Sequence, residues 1–219
     1  MIFVIQCAGA KRRDAGCMRQ RSGEPVLFVG DPATAPAAPG SVYARPDDPS
    51  DDGTTWRDQL LRYNDTPGDN QWNLLPAWRL YRPPAYGRLV KKFGASSVYI
   101  LSAGWGLIGA EFLTPDYDIT FSNSAEPYKR RRPRDRYDDL NMLPTPSSEP
   151  IFFFGGKAYI SLFDSLTASH SGRRVVFFNS VVPPDVTGCE LRRYTTRKKT
   201  NWHYDCVNDF VDGRIEMPG

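Results

Sequence analysis

The chain has 219 residues and a mass of 24.7 kDa, enough to bury a substantial core, and it carries a formal charge of +3 with a pI near 8.7. So weak a field does not by itself gather a polyanion, so any contact with nucleic acid has to come from local clusters. The four cysteines, Cys7, Cys17, Cys189 and Cys206, lack the close spacing of zinc ligands, and two histidines are too few to complete such a site, so no metal and no cofactor are expected.

The apolar start MIFVIQC has no basic segment before it and no cleavage site after it, and no apolar run reaches membrane-spanning length, which predicts a cytoplasmic chain with reduced thiols and no membrane contact. Met1 to Cys7 has the pattern of a buried first strand, closed by the turn Ala8-Gly9-Ala10-Lys11. Pro25 to Gly30 (PVLFVG) has strand character, and residues 31–40 form a Pro/Ala-rich loop. Acidic, turn-prone residues 46–53 lead into TTWRDQLLRYN, where Trp56, Leu60, Leu61 and Tyr63 fall mostly at helical spacing. After a polar break at 65–73, a helix is expected from about Pro84 to Phe93 with Gly94 as its stop. Ser97 to Ser102 is the second core strand, and residues 124–149 are polar, basic and punctuated by proline, as in a lid or a short helix between loops. Ile151 to Phe154 is a third buried strand, turned by Gly155-Gly156-Lys157 into the helix AYISLFDSLTAS. Arg174 to Phe178 is a fourth, ending at Asn179-Ser180, and a last helix covers Trp202 to Val211. Buried strands alternating with helices predict a single α/β domain over 1–219. Its mainly parallel sheet has about four strands with helices on both faces, and loop-rich insertions fall near 31–75 and 123–149.

Ligands of such sheets sit beyond the carboxyl ends of the strands. Those ends carry Cys7 with Lys11, Ser102 with the segment ILSAGWGLIGAEFLTPDYDITFS, Gly155-Gly156-Lys157, and Asn179. Gly104 and Gly106 let a ligand approach the main chain. Asp116 and Asp118 flank Tyr117 after a proline, and either carboxylate could orient water or stabilise a cationic sugar during N-glycosidic cleavage; the competing role is turn formation. Tyr117 and Trp105 could stack an everted base, although a core position is the favoured reading for Trp105. Gly155, Gly156 and Lys157 could receive a phosphate at a strand-to-helix junction, but the Walker spacing is absent. Packing is the favoured role of Cys7. Asn179 could read a base edge, and His203 could protonate or bond a leaving base, or be only a cap-region residue. Arg130, Arg131, Arg132 and Arg134 form one basic run, and Arg193, Arg197, Lys198 and Lys199 a second; both are interleaved with aromatics, as suits phosphate contacts, the alternative being solvated faces.

The segments CAGAK, LSAGWGLI…TPDYDITF and FFFGGKAY resemble the YaaA-like family, and the middle one is similar to the core of archaeosine synthase. Both are similar in turn to the uracil-DNA-glycosylase-like α/β folds. The resemblance covers about half the chain. It implies nucleic acid or a modified nucleobase as ligand, at Cys7, Lys11, Ser102, Gly106, Leu107, Tyr117, Asp118, Gly155, Lys157 and Tyr159. The expected function is therefore a DNA glycosylase-like enzyme that everts a modified base and hydrolyses its N-glycosidic bond, with Asp118 or Asp116 as the catalytic carboxylate. If the base is modified, defence against modified phage DNA is a natural setting. Two alternatives stand beside it: a non-catalytic YaaA-like DNA-binding protein, and an enzyme acting on small nucleosides or nucleotides.

Overall fold

A computed structural model describes residues 1–66, 68–132 and 134–216. A seven-stranded, mostly parallel sheet forms its centre. β1 (Ile2–Gln6) lies in the middle, between β5 (Val98–Ser102) and β10 (Ile151–Phe154). β11 (Arg174–Phe178) and β12 (Cys189–Arg193) extend the sheet beyond β10, while β6 (Gly106–Gly109) and β9 (Leu140–Asn141) extend it beyond β5. All neighbours are parallel except β5 and β6, which form a hairpin closed by Ala103–Trp105. The sequence predicts four of these strands because each holds a run of at least four apolar or aromatic residues. β12 (CELRR) is a half-exposed edge, β9 has two residues, and β6 (GLIG) is framed by glycines; none has the composition of a core strand.

Successive side chains of a strand point to opposite faces, and β10 shows how both faces are covered. Phe152 and Phe154 meet Phe210 of α5 (Trp202–Val211), whereas Phe153 stacks on Phe163 of α4 (Lys157–Thr167) at 4.5 Å between centroids. Phe210 also meets Phe3, Phe177 and Phe93 of α3 (Ala85–Phe93). Gly94 ends α3 with φ +84°, and its N–H donates to the Val90 carbonyl. No helix among the described residues is long and apolar enough to cross a membrane.

The long connection from β1 to β5 builds two smaller sheets together with the segment that follows β6. β2 (Val26–Val29) pairs in parallel with β3 (Val42–Ala44) on one side and β8 (Tyr117–Asp118) on the other. PVLFVG is thus a strand, but of a separate three-stranded sheet. Next comes α1 (Trp56–Asp65), started by a capping box between Thr55 and Asp58. The short β4 (Leu75–Pro76) and β7 (Leu113–Thr114) form an antiparallel pair, and the four-residue α2 (Ala77–Leu80) follows β4. The described residues of 124–149 form loops with a 3₁₀ turn at Pro127–Lys129 and the strand β9.

Phe210 is 4% exposed, and its ring meets five others: Phe93 of α3, and Phe3, Phe152, Phe154 and Phe177 from three strands of the central sheet. Phe210→Ala is expected to destabilise the protein by about 3–5 kcal/mol, measured by denaturant unfolding. A loss below about 1 kcal/mol would show that α5 is not pinned to the sheet by this ring.

Candidate functional site

Chain order reverses at β1: the polypeptide passes from β1 to β5 on one side, then returns to place β10 on the other. Crevices at such reversals, beyond the carboxyl ends of the strands, are where parallel sheets hold ligands. A cavity of about 450 Å³ lies here, lined by Cys7, Lys11, Asp118, Thr120, Ser122, Ser124, Glu126, Lys129 and Tyr159. Its volume lies within the usual range for small-ligand sites.

The floor is a chain of neutral hydroxyls. Ser102 Oγ accepts the N–H groups of Gly104 (3.2 Å) and Trp105 (3.0 Å) and donates to Tyr117 Oη (2.8 Å), which is 2.8 Å from Tyr81 Oη. Cys7 Sγ and Tyr159 Oη are 3.1 Å apart. Burial raises the Tyr81, Tyr117 and Tyr159 phenols well above their ordinary value, so all three stay protonated. Lys11 Nζ sits 4.3 Å from the Tyr117 ring centroid and 3.9 Å from an Asp116 oxygen. The Asp116 carboxyl is nevertheless raised, because partial burial and the neighbouring Asp118 outweigh Lys11.

Alternation along β8 and its flanks sorts the carboxylates. Tyr117 points inward, and Asp116 and Asp118 both point out, with side chains about half exposed. Of the two, Asp118 lines the cavity. Lys129 Nζ lies 2.8 Å from Asp118 and 2.6 Å from Glu126, and those contacts hold its ammonium charged. One cation shared by two carboxylates leaves this three-residue cluster with a net single negative charge, while Lys11 is a second cation on the cavity lining.

Several expected roles find no geometry. Trp105 is fully buried, edge-on to Phe28 and Tyr117, and the Tyr117 ring is 3% exposed, so neither offers a face to a base. Gly104 and Gly106 are buried: a Cβ on Gly104 would press on Tyr117 and Ile119. One on Gly106, where φ is +89°, would lie 2.5 Å from the Leu140 carbonyl oxygen, so this glycine serves the β6–β9 pairing. Gly155 packs on the Phe153 ring, Gly156 N–H donates to Gln6 Oε1, and Lys157 is exposed. The Asn179 amide donates to the Lys198 carbonyl. His203 is 2% exposed, tilted against Tyr204, and its Nε2 has no partner among the described residues. Its burial lowers the imidazole to about 4, so it is neutral and poorly suited to donate a proton at neutral pH.

The basic runs divide in the same way. Arg131 is internal: it pairs with Asp139 at 2.5 Å, donates to the Ala103 carbonyl and covers the Tyr137 ring at 4.0 Å. Arg130 donates to the Ala125 carbonyl, and Arg132 pairs with Asp31 and Asp135. Lys198 pairs with Asp205, whereas Arg134, Arg193, Arg197 and Lys199 are exposed. Thr120 and Ser122, at the end of the segment ILSAGWGLIGAEFLTPDYDITFS, and Ser124 and Glu126 just beyond it also line the cavity; none is individually marked by the sequence.

A larger cleft of about 1070 Å³ beside α1 is away from every central strand end; on its lining Arg62 pairs with Asp52, and the Arg21 backbone N–H donates to Asp51. No protein-family model, curated protein or solved structure matches this chain.

Arg131→Gln strands a buried carboxylate at Asp139 and a buried carbonyl at Ala103, so it is expected to cost about 3–5 kcal/mol in denaturant unfolding. An unchanged midpoint would mean that Arg131 is free to serve a ligand. His203 contributes a pH dependence of its own. The folded imidazole takes up a proton only near pH 4, against an ordinary value of 6.5. Its contribution is therefore full above about pH 6.5 and is lost as the pH falls from there to 4, by about 3 kcal/mol in all. Between pH 7 and 4.5 the wild-type Tm is expected to fall about 6–12 °C further than that of His203→Leu. Parallel falls would show that the imidazole does not resist protonation.

Proposed function

We propose that the protein is a DNA glycosylase-like enzyme that accepts an everted, modified nucleobase in the cavity beyond β1 and β10 and hydrolyses its N-glycosidic bond. The observation that carries this reading is Asp118: a carboxylate on the wall of a base-sized cavity at the strand-order reversal, inside a charge cluster that stays net negative. As the glycosidic bond breaks, positive charge develops on the sugar. A carboxylate held beside it stabilises that charge and can orient the attacking water. Thr120, Ser122 and Ser124 supply hydroxyls that can donate to or accept from the edge of a base. Tyr159, neutral and at the cavity wall, can hydrogen-bond the leaving base. Water enters at the carbon–nitrogen bond: its oxygen joins the sugar, its proton passes to Asp118 or solvent, and the base leaves with the bonding pair and takes up a proton. The sequence resemblance to YaaA-like proteins and to uracil-DNA-glycosylase-like folds supports the same choice of substrate, in a cytoplasmic setting.

The ion pair between Asp118 and Lys129 favours a second reading, a non-catalytic DNA-binding protein in which the carboxylate only ties down the 120–130 loop. One variant separates the two. Asp118 is exposed, so Asp118→Asn is expected to change stability by no more than about 0.5 kcal/mol. On the glycosylase reading it lowers base release by about 100-fold or more. The measurement is mass spectrometry of bases freed from a panel of modified and unmodified DNAs, with thermal melts of the same preparations. Base release undiminished in Asp118→Asn rejects the carboxylate, and no release by the wild type from any member of the panel favours the second reading.

A further inference from the structure

We infer that a groove of about 510 Å³ on the far side of the 7–12 loop binds the phosphate backbone of a nucleic-acid strand through Arg12, Arg79 and Arg82. The inference rests on the proposal that DNA is the substrate, and it adds where the strand lies.

The groove arises from a two-segment crossing. Lys11 and Tyr81 form an antiparallel bridge, reinforced by Arg12 N–H to the Leu80 carbonyl (2.9 Å) and Arg82 N–H to the Ala10 carbonyl (3.0 Å). At the bridge both side chains turn inward to Tyr117: Tyr81 through its hydroxyl, Lys11 over the ring. The next residue of each segment, Arg12 and Arg82, is exposed. A single crossing therefore supplies the cavity floor on one side and guanidinium groups on the other, so the loop that lines the base cavity with Cys7 and Lys11 passes directly into the groove at Arg12.

The charge of the groove is one-sided. Its lining holds three arginines and no Asp or Glu. Arg79 and Arg82 have no ion-pair partner among the described residues, and exposed Arg13 follows Arg12 in sequence. Two acids lie at its margin: Asp14 takes Arg12 in a two-point contact, and Glu111 accepts from Trp78 Nε1. Both runs that looked basic in the sequence spend part of their charge on carboxylates, whereas here the guanidinium of Arg82 is uncommitted. Guanidinium groups match phosphate oxygens in pairs. Half-buried Trp78, with Arg79 5.7 Å from its ring centroid, adds an aromatic wall of the kind that accompanies single strands. A free nucleotide offers its phosphates at one end only, while a groove beside a base cavity suits a chain that continues past the everted residue.

The test is fluorescence anisotropy of the full protein on an unmodified labelled oligonucleotide, single-stranded and duplex, at several salt concentrations. The variants are R79E/R82E and R79Q/R82Q, with K91E/K92E as control. The control makes the same change of net charge as R79E/R82E, on exposed residues at the opposite end of α3. The proposal expects R79E/R82E to weaken binding at least tenfold in low salt and to flatten the log–log salt slope by about 1.5–2. It expects R79Q/R82Q to show a smaller loss in the same direction, and K91E/K92E to keep the wild-type slope. Equal losses in R79E/R82E and K91E/K92E, wild-type binding in both arginine pairs, or no binding by the wild type would each overturn it. Because the oligonucleotide is unmodified and nothing is cleaved, the result is independent of base release. A protein that frees bases yet binds normally without Arg79 and Arg82 would lose the groove and keep the enzyme.

Discussion

Three successive backbone carbonyls, those of Ala103, Gly104 and Trp105, end the central strand β5 in a fully buried turn, and two arginines satisfy all of them. Arg131 donates to Ala103, and Arg57 donates to Gly104 and Trp105, each at 3.0 Å. A buried carbonyl without a donor costs about 1–3 kcal/mol, so an unsupported turn would not persist. Each guanidinium is itself neutralised, Arg57 by Asp47 and Arg131 by Asp139, both at 2.5 Å. The amides of the same turn are taken by Ser102 Oγ, which has one proton left to give, and Tyr117 receives it. The position of Tyr117 is thus fixed from below, and with it the alternation of β8 that turns Asp118 outward to the cavity.

This arrangement explains why the floor of the cavity is polar and uncharged while its mouth is charged. Phenols that stay protonated can exchange hydrogen bonds in a dry interior, whereas an unpaired buried carboxylate or ammonium would carry a heavy desolvation cost. Lys11, the one cation near the floor, is placed over an aromatic face and beside Asp116. At the mouth, the charged side chains on the lining are Asp118, Glu126 and Lys129, where water reaches them.

The parts of the fold that could be read from the sequence are those whose residues carry their own reason. Four central strands each hold a run of at least four apolar or aromatic residues, α3 is closed by a glycine, and α5 begins and ends where its apolar spacing does. β6 was hidden because glycines that mark turns also permit the close approach of Leu140. β12 was hidden because an edge strand needs little apolar surface. Of the residues lining the cavity, Cys7 and Lys11 were legible as residues just past a strand end, and Asp118 from its place beside Tyr117 after a proline. The role of Arg131 was not: a run of four cations looks the same whether its partners are phosphates or carboxylates, and Asp139 and the Ala103 carbonyl reach it only through the fold. Arg12, Arg79 and Arg82 escaped for the converse reason, since no run unites them and only the Lys11–Tyr81 bridge brings the segments together.

A strand of DNA undergoing glycosidic cleavage makes opposite electrostatic demands at neighbouring points. Its phosphates need cations, and its sugar, as the base departs, needs an anion. A uniformly basic cleft would bind the strand and raise the energy of the transition state. A net charge of only +3 is consistent with a division of the surface instead. Three exposed arginines, Arg12, Arg79 and Arg82, line a groove on one side of the 7–12 loop, and the Asp118–Lys129–Glu126 cluster, one unit negative, lies on the other. The loop separates the two because adjacent residues of an extended segment point in opposite directions, the geometry that also sends Lys11 to the floor and Arg12 to the groove.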